Sequence, residues 1–358
     1  MEHNDNLFTY LKWRGDLPIS EQPLNEEDAL IFSQLSYLRL DGVVPSVGEE
    51  DAITIREANR KYIKTNQKMM YYADKEEMFD VLAQSPRYAD MTLCNYISTI
   101  DLVEQQQFAA MHVNLTPNLT FIVFRGTDGT VVGWREDFNM AYMMPVPAQQ
   151  SAVDYVNLTT RGMFKKYYLG GHSKGGNLAI YSGVFCNPKI QKKLARIYSF
   201  DGPGFNRKMV NDSAYLAVKD KISAYVPEES IIGMLMEHEE DYKVVKSEQK
   251  SFLQHEPFFW KVYRDGFQLT DQLNPRSKEM SESVKAWLDK VTTEERKAVV
   301  DTFFTVFEKA GLDDFTEFTE LDAKTAAALL KAATSVPKKE RDLVVKLIKL
   351  FVEERTQK

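Results

Sequence analysis

The sequence predicts an α/β protein: a mostly parallel central sheet flanked by helices, with N-terminal helices ahead of it and a helical appendage behind. Three observations carry this expectation. Strand-length apolar runs alternate with helix-length segments between residues 107 and 245, the pattern of strands joined by helical crossovers. Residues 1–106 space their apolar positions mostly as helices do, and residues 276–358 read as charged amphipathic helices. The 358 residues are 44% hydrophobic and 27% charged, enough for one large domain with an appendage, which excludes general disorder.

The elements follow in order. Asn25-Glu26-Glu27-Asp28 supplies an acidic first turn to a helix that continues through Leu30, Ile31, Leu35 and Leu38. Further helices are expected over 52–66 and 75–82, the latter stretch ended by Pro86. Residues 108–113 and 119–124 read as strands paired across Thr116-Pro117-Asn118. A strand at 167–170, a helix at 176–185 and strands at 197–200, 222–226 and 242–245 come next. Beyond residue 275, Thr292-Thr293-Glu294-Glu295 opens a helix with a capping box. Ser335-Val336-Pro337 opens the last helix, with Leu343, Val344, Leu347, Ile348 and Phe351 on one face. The division is therefore 1–275 for the α/β part with its N-terminal helices, and 276–358 for the helical region.

Composition limits the function classes. Lys+Arg 45 against Asp+Glu 52 gives a net charge of −7, which argues against a nucleic-acid surface. Two cysteines, Cys94 and Cys186, cannot build a disulfide framework, so a reducing compartment is expected. The polar N-terminus lacks a signal-peptide pattern, and no run approaches the ~18 apolar residues of a membrane span. The expectation is a soluble cytoplasmic protein with no metal and no cofactor.

Gly171-His172-Ser173-Lys174-Gly175 matches the G-x-S-x-G pattern between a short strand and a helix. There a serine sits on a strained turn, and small neighbours let the backbone bend so that Oγ stands above the sheet. A plain glycine-rich turn is the competing explanation. A serine nucleophile needs a base. Of five histidines, His3 lies at the terminus, His112 on an earlier strand as a buried structural residue, and His172 inside the turn with its side chain directed away. His238 lies in the acidic run Glu237-His238-Glu239-Glu240-Asp241, read as a solvated turn. His255 is flanked by Leu253 and Pro257-Phe258-Phe259-Trp260, an apolar wall that would hold an imidazole, and is the better base. Asp201 follows the strand 197–200, where it breaks into Gly202-Pro203-Gly204, and is the favoured acid; it could instead cap that turn. Glu229, or Glu228, after the next strand is the alternative acid.

Acyl chemistry also needs oxyanion donors. The backbone N–H groups of Lys174 and of Thr127, in Phe124-Arg125-Gly126-Thr127, are the candidates, with the Thr127 hydroxyl as a helper. Arg125 is read as structural and paired with Asp137, and the Lys174 side chain as unable to fold back on Ser173. Residues 130–147, with Val131, Val132, Trp134, Met140, Met143 and Met144 as apolar positions, suit either a lid or a core loop.

With these motifs the chain resembles the class 3 lipase family of α/β-hydrolases, and more closely a group of bacterial lipase-like α/β-hydrolases of unassigned substrate. The likeness rests on residues 170–177, Ser199-Phe200-Asp201-Gly202-Pro203-Gly204-Phe205 and Gln254-His255-Glu256-Pro257-Phe258, with Gln34-Leu35-Ser36-Tyr37 near the start. Asp201 is similar to the acid position of pancreatic-type lipases. The resemblance implies the α/β-hydrolase fold and an esterase or lipase triad without a particular substrate. Fungal class 3 lipases take their acid from a later strand, which keeps Glu229 open beside Asp201. The region after 275 is not part of a minimal lipase.

The leading functional expectation is a serine hydrolase that cleaves a carboxylic ester or lipid acyl bond through Ser173, Asp201 and His255. A peptidase would share that triad. The alternative from another class is a catalytically silent binding or scaffolding protein, supported by the unusual Lys174 and by C-terminal helices that could dock a protein partner.

Overall fold

The structure is a computed structural model that describes residues 5–64, 72–264, 266–311 and 323–336, with 338 and 341. The helix expected after Ser335 lies outside the described residues, as does His3. Before the main sheet come α1 (Leu7–Arg14), α2 (Glu26–Leu35), β1 (Ile53–Thr54), α3 (Ile55–Lys61) and α4 (Tyr72–Gln84). The helix expected from residue 52 begins only at Ile55, because Thr54 and Glu57 cap it reciprocally. It ends at Lys61, and residues 65–71 lie outside the described residues.

The sheet continues with β2 (Thr92–Asp101), β3 (Gln106–Thr116), β4 (Leu119–Phe124), β5 (Lys166–His172), β6 (Leu194–Phe200), β7 (Ile222–Pro227) and β8 (Tyr242–Val245). β9 (Val262–Tyr263) and β10 (Gly266–Phe267) form a small ribbon, and β11 (Leu269–Thr270) returns to the main sheet. Between strands lie α5 (Val131–Asn139), α6 (Pro147–Thr159), α7 (Lys174–Phe185) and the short α8 (Pro188–Gln191), α9 (Arg207–Val210) and α10 (Ser213–Leu216). α11 (Pro275–Lys290), α12 (Thr293–Lys309) and α13 (Ala323–Ala333) follow. α12 opens with the expected capping box between Thr292 and Glu295.

The strand order is β1-β2-β3-β4-β5-β6-β7-β8-β11. β4 to β8 pair in parallel, whereas β1 to β4 and β8 with β11 pair antiparallel. The sheet is thus mixed, and its parallel part, from β4 to β8, lies within the stretch where strand-like and helix-like segments alternate. The sequence reading missed β2. Its polar Asn95, Ser98, Thr99 and Asp101, and a bulge between Cys94 and Ile97 where Asn95 has φ 53°, break the period-2 pattern.

Helices cover both faces. α6 and α7 pack on one side around Leu169, Ile197 and Val156. α2 packs on the other side, around Phe121, Tyr198 and Phe200. Leu30, Ile31, Phe32 and Leu35 of α2 are fully buried, each worth about 1.5–3 kcal/mol. The same helix carries Asp28, whose buried carboxylate takes Arg87 Nε at 2.9 Å and Tyr88 Oη at 2.6 Å. Tyr10 Oη donates to it at 3.0 Å, so one charge ties α1, α2 and the turn after α4 together.

The C-terminal helices rest on this body. Ser277 and Ser281 of α11 donate to the carbonyls of Ser230 and Met234 in the loop after β7. α12 and α13 share a small apolar cluster that receives Val131, Trp134, Phe138 and Tyr142 from α5 and the turn after it. Phe138 stacks on Phe303 at 5.0 Å, and Arg135 pairs with Asp301 at 2.9 Å.

Candidate active site

Ser173 ends β5 and starts α7 with φ 58° and ψ −132°, a conformation that non-glycine residues adopt only when the surroundings impose it. The glycines on either side explain how. A Cβ on Gly171 would lie 2.3 Å from the Gly175 carbonyl carbon, and one on Gly175 would lie 2.2 Å from the Phe124 carbonyl oxygen. Only glycine at both positions lets α7 start this close to β4 and β5. The Ser173 N–H donates to the Phe200 carbonyl at 2.9 Å, which fixes the turn against the end of β6.

Asp201 follows β6 as Ser173 follows β5, and His172 and Phe200 are paired in register, so the two residues sit side by side at the carboxyl edge of the sheet. Asp201 also has a positive φ, 51°, and is buried. Its Oδ1 accepts from Ser230 Oγ at 2.5 Å and from the Gly233 N–H at 3.1 Å. Its Oδ2 faces His255 Nδ1 at 2.6 Å. A carboxylate can only accept, so Nδ1 carries the proton and Nε2 is left as the basic nitrogen.

The loop that carries His255 is held from four sides. The His255 carbonyl accepts from His172 Nε2 at 2.7 Å. That leaves His172 Nδ1 to accept from Tyr37 Oη at 2.9 Å. Burial holds His172 well below the usual histidine range, so it stays the neutral tautomer this chain of bonds requires. The neighbouring Glu256 pairs with buried Lys75 at 3.1 Å. Trp260 Nε1 donates to the Gln254 carbonyl at 2.7 Å, and Gln254 Oε1 accepts the Glu229 N–H at 2.9 Å. The roles of Tyr37, His172, Lys75 and Ser230 were not legible in sequence. In the sequence Tyr37 stands out only as part of Gln34-Leu35-Ser36-Tyr37.

The other candidates fall as follows. The Glu229 carboxylate accepts from Asn274 Nδ2 at 3.0 Å, while the His255 Nδ1 bond goes to Asp201. His238 is not in a solvated turn: its Nδ1 faces the buried Glu240 at 3.0 Å, and Tyr215 Oη donates to the same carboxylate. Within the run Glu240 alone is buried, while Glu237 and Glu239 pair with Arg207 and Lys219 near the surface. His112 is buried with Nε2 3.0 Å from Thr159 Oγ1, and burial pushes it down to about 3.

Thr127 and Lys174 lie on the two segments that Gly175 brings together at the end of β4. Neither backbone N–H has a hydrogen-bond partner among the described residues. The Thr127 hydroxyl is committed elsewhere, donating to Asp137. Asp137 is therefore not the partner of Arg125. That guanidinium is buried against the carbonyls of Ser36 and Leu38, at 2.6 and 3.1 Å, and Tyr96 Oη at 3.0 Å. Burial pushes the Asp137 carboxyl up to about 6, against the pull of Lys174 and the Thr127 bond.

The Lys174 side chain turns away from Ser173 and is fully buried. Nζ donates to Gln107 O at 3.0 Å, Gln107 Oε1 at 2.7 Å and Glu136 Oε2 at 3.0 Å, with Asp137 Oδ1 at 3.8 Å. Burial alone would lower its pKa, but Glu136 and Asp137 outweigh that and raise it, so the lysine stays charged. Glu136 also accepts the N–H groups of Gln107 and Ala148. The residue after Ser173 thus pins α5, within the stretch that the sequence leaves open as a lid or a core loop. Among the described residues no three His, Cys, Asp or Glu side chains converge as a metal site would require.

A mixed sheet covered by helices on both faces, with a strained serine between β5 and α7 and a His–Asp pair at the same edge, defines an α/β-hydrolase-type fold. The chain belongs to the Mbeg1-like family, whose model matches residues 82–305, from α4 into α12. No curated protein matches the sequence. Among solved structures, the native propeptide complex of Rhizomucor miehei lipase is similar at 15% identity and a TM-score of 0.36, covering 62% of this chain and 70% of that one. A crystal structure of M37 lipase is similar at 14% identity and a TM-score of 0.36, covering 59% and 70%.

Proposed function

We propose that this chain is a serine hydrolase of lipase or esterase type that cleaves a carboxylic ester or lipid acyl bond. His255 Nε2 takes the proton of Ser173 Oγ as that oxygen attacks the acyl carbon, and Asp201 holds the imidazole in the required tautomer and stabilises its cation. The N–H groups of Thr127 and Lys174 receive the developing oxyanion. His255 then protonates the leaving group, and water attacks the acyl-enzyme by the reverse route. The observation that carries this reading is the His255–Asp201 bond of 2.6 Å at the sheet edge where Ser173 adopts its strained turn.

A silent binding protein on the same scaffold is the competing reading, favoured by the clamping of α5 between Lys174 and α12. Labelling the folded full chain with a fluorophosphonate separates the two. An adduct on Ser173, mapped by mass spectrometry and absent from Ser173→Ala, is expected of the hydrolase. Folded protein that takes no label would overturn the hydrolase and leave the scaffold. An ester panel of graded acyl length then addresses the substrate.

A further inference from the structure

The chain carries a net charge of −7, yet residues 155–200 contain no Asp or Glu at all. Apart from buried Lys174 and from Arg196, which lies within β6 and donates to Ser223 Oγ, that stretch places its six other cations at one end of the sheet. Arg161, Lys165 and Lys166 lie in or beside the loop between α6 and β5, and Lys189, Lys192 and Lys193 lie in and after α8. Both segments precede parallel strands, β5 and β6, and so share the amino edge of the sheet, opposite the Ser173 edge. Lys193 Nζ donates to the Gly162 carbonyl at 2.7 Å, joining the two segments directly. Arg161, Lys166, Lys189 and Lys192 are exposed.

In the loop between Arg161 and Lys165 on this edge, Met163 and Phe164 are 81% and 82% exposed. The loop that presents them is anchored. Tyr167 Oη bonds both the N–H and the carbonyl of Arg161, and Gly162 turns the chain with φ 90°. Two large apolar side chains in nearly full water are costly in isolation and carry no polar group to satisfy. Flanked in sequence by exposed Arg161 and Lys166, and tied through Gly162 to Lys193, they match the headgroup boundary of an anionic bilayer, where the apolar tip enters the acyl region and the neighbouring cations meet phosphate. A nucleic acid would use the cations but leave the methionine without a role.

We propose that the 161–166 loop and the adjoining 189–193 turn form a docking surface for anionic phospholipid membranes. The surface is independent of catalysis at Ser173. It also sets an orientation. β5 runs from Lys166 to His172, about 20 Å at ~3.3 Å per residue, so a docked molecule turns its Ser173 edge away from the bilayer.

The test is flotation of the full chain with vesicles of phosphatidylcholine alone or mixed with phosphatidylglycerol, at low and high salt. Binding is expected only to the mixed vesicles and should weaken as salt screens the cations. Charge reversal at Arg161, Lys189 and Lys192 together should weaken it by about a hundredfold or more, from roughly fivefold per cation lost. The pair Met163→Ser and Phe164→Ser should weaken it by about tenfold or more. Phe164→Trp adds a further readout, a blue shift on mixed vesicles beyond any shown by the wild-type chain with its four tryptophans. Failure of the folded chain to bind mixed vesicles would overturn the proposal. So would binding that the Met163→Ser and Phe164→Ser pair leaves intact while heparin binds equally well, since the surface would then serve a soluble polyanion. A Phe164→Trp spectrum that shifts no more than that of the vesicle-bound wild-type chain would also overturn the proposal, because the apolar tip would then stay in water.

Discussion

Replacing Lys174 by methionine keeps most of the side chain's volume and removes its charge inside a site closed to water. Three hydrogen bonds from Nζ are lost, two to Gln107 and one to Glu136. Glu136 stays buried and keeps only the N–H groups of Gln107 and Ala148. Breaking one partner of a buried ion pair costs about 3–5 kcal/mol, and those two remaining donors place this case near the lower end, about 3 kcal/mol. Glu136→Gln should cost less, about 2 kcal/mol, because Lys174 keeps Gln107 and the nearby Asp137. The double variant leaves no unpaired charge between these two positions and should lie within about 2–3 kcal/mol of wild type, giving a coupling energy of about 2–3 kcal/mol. Urea unfolding followed by circular dichroism and tryptophan fluorescence, with coincident transitions required, measures all four corners of the cycle. A Lys174→Met loss under about 1 kcal/mol would refute the reasoning, as would single losses that simply add in the double variant.

Other outcomes follow from the same geometry. His255→Ala should lower ester turnover by about 10⁴ or more while His238→Ala leaves it near wild type; comparable losses in both would reverse the assignment of the base. Asp201→Asn should cost ~10⁴ in kcat and Glu229→Gln far less; the opposite ranking on folded protein would move the acid to the later strand. Ser230→Ala removes one of two donors to Asp201 Oδ1 and should lower kcat about tenfold with KM little changed, and Ser230→Thr should restore it. An unchanged kcat in Ser230→Ala would show that the Gly233 N–H suffices. Glu27 is buried, and burial, aided by the neighbouring Glu26 charge, outweighs the backbone N–H groups that face its carboxyl and pushes it up to about 8. The folded protein then keeps a proton that the unfolded chain releases near its ordinary range, so this stability is full at acid pH and is lost as pH rises through 8. Between pH 6 and 9 the loss should be roughly 3 kcal/mol, and Glu27→Gln should abolish that part of the pH dependence in thermal melts.

The sequence determined the features that depend on neighbours along the chain. Strand–helix alternation located the parallel strands, because buried strands between helical coats need continuous apolar runs. The turn at Ser173 was legible because its glycines answer to contacts within one strand–turn–helix unit and the strand beside it. Asp201 and His255 could be nominated from strand ends and an apolar flank, though their pairing at 2.6 Å belongs to the fold. The tertiary structure alone decided the partners of buried charges. Nothing near Lys174 in sequence points to Glu136, 38 residues away, and nothing near Arg125 points to the carbonyls of Ser36 and Leu38. It also buried Glu240 against His238 and made β2 a strand despite its polar residues. The physical reason is common to these cases. A buried charge or an edge of backbone amides must be satisfied by whatever the packed chain brings within about 3 Å, and that choice is made by the assembled layers rather than by local pattern.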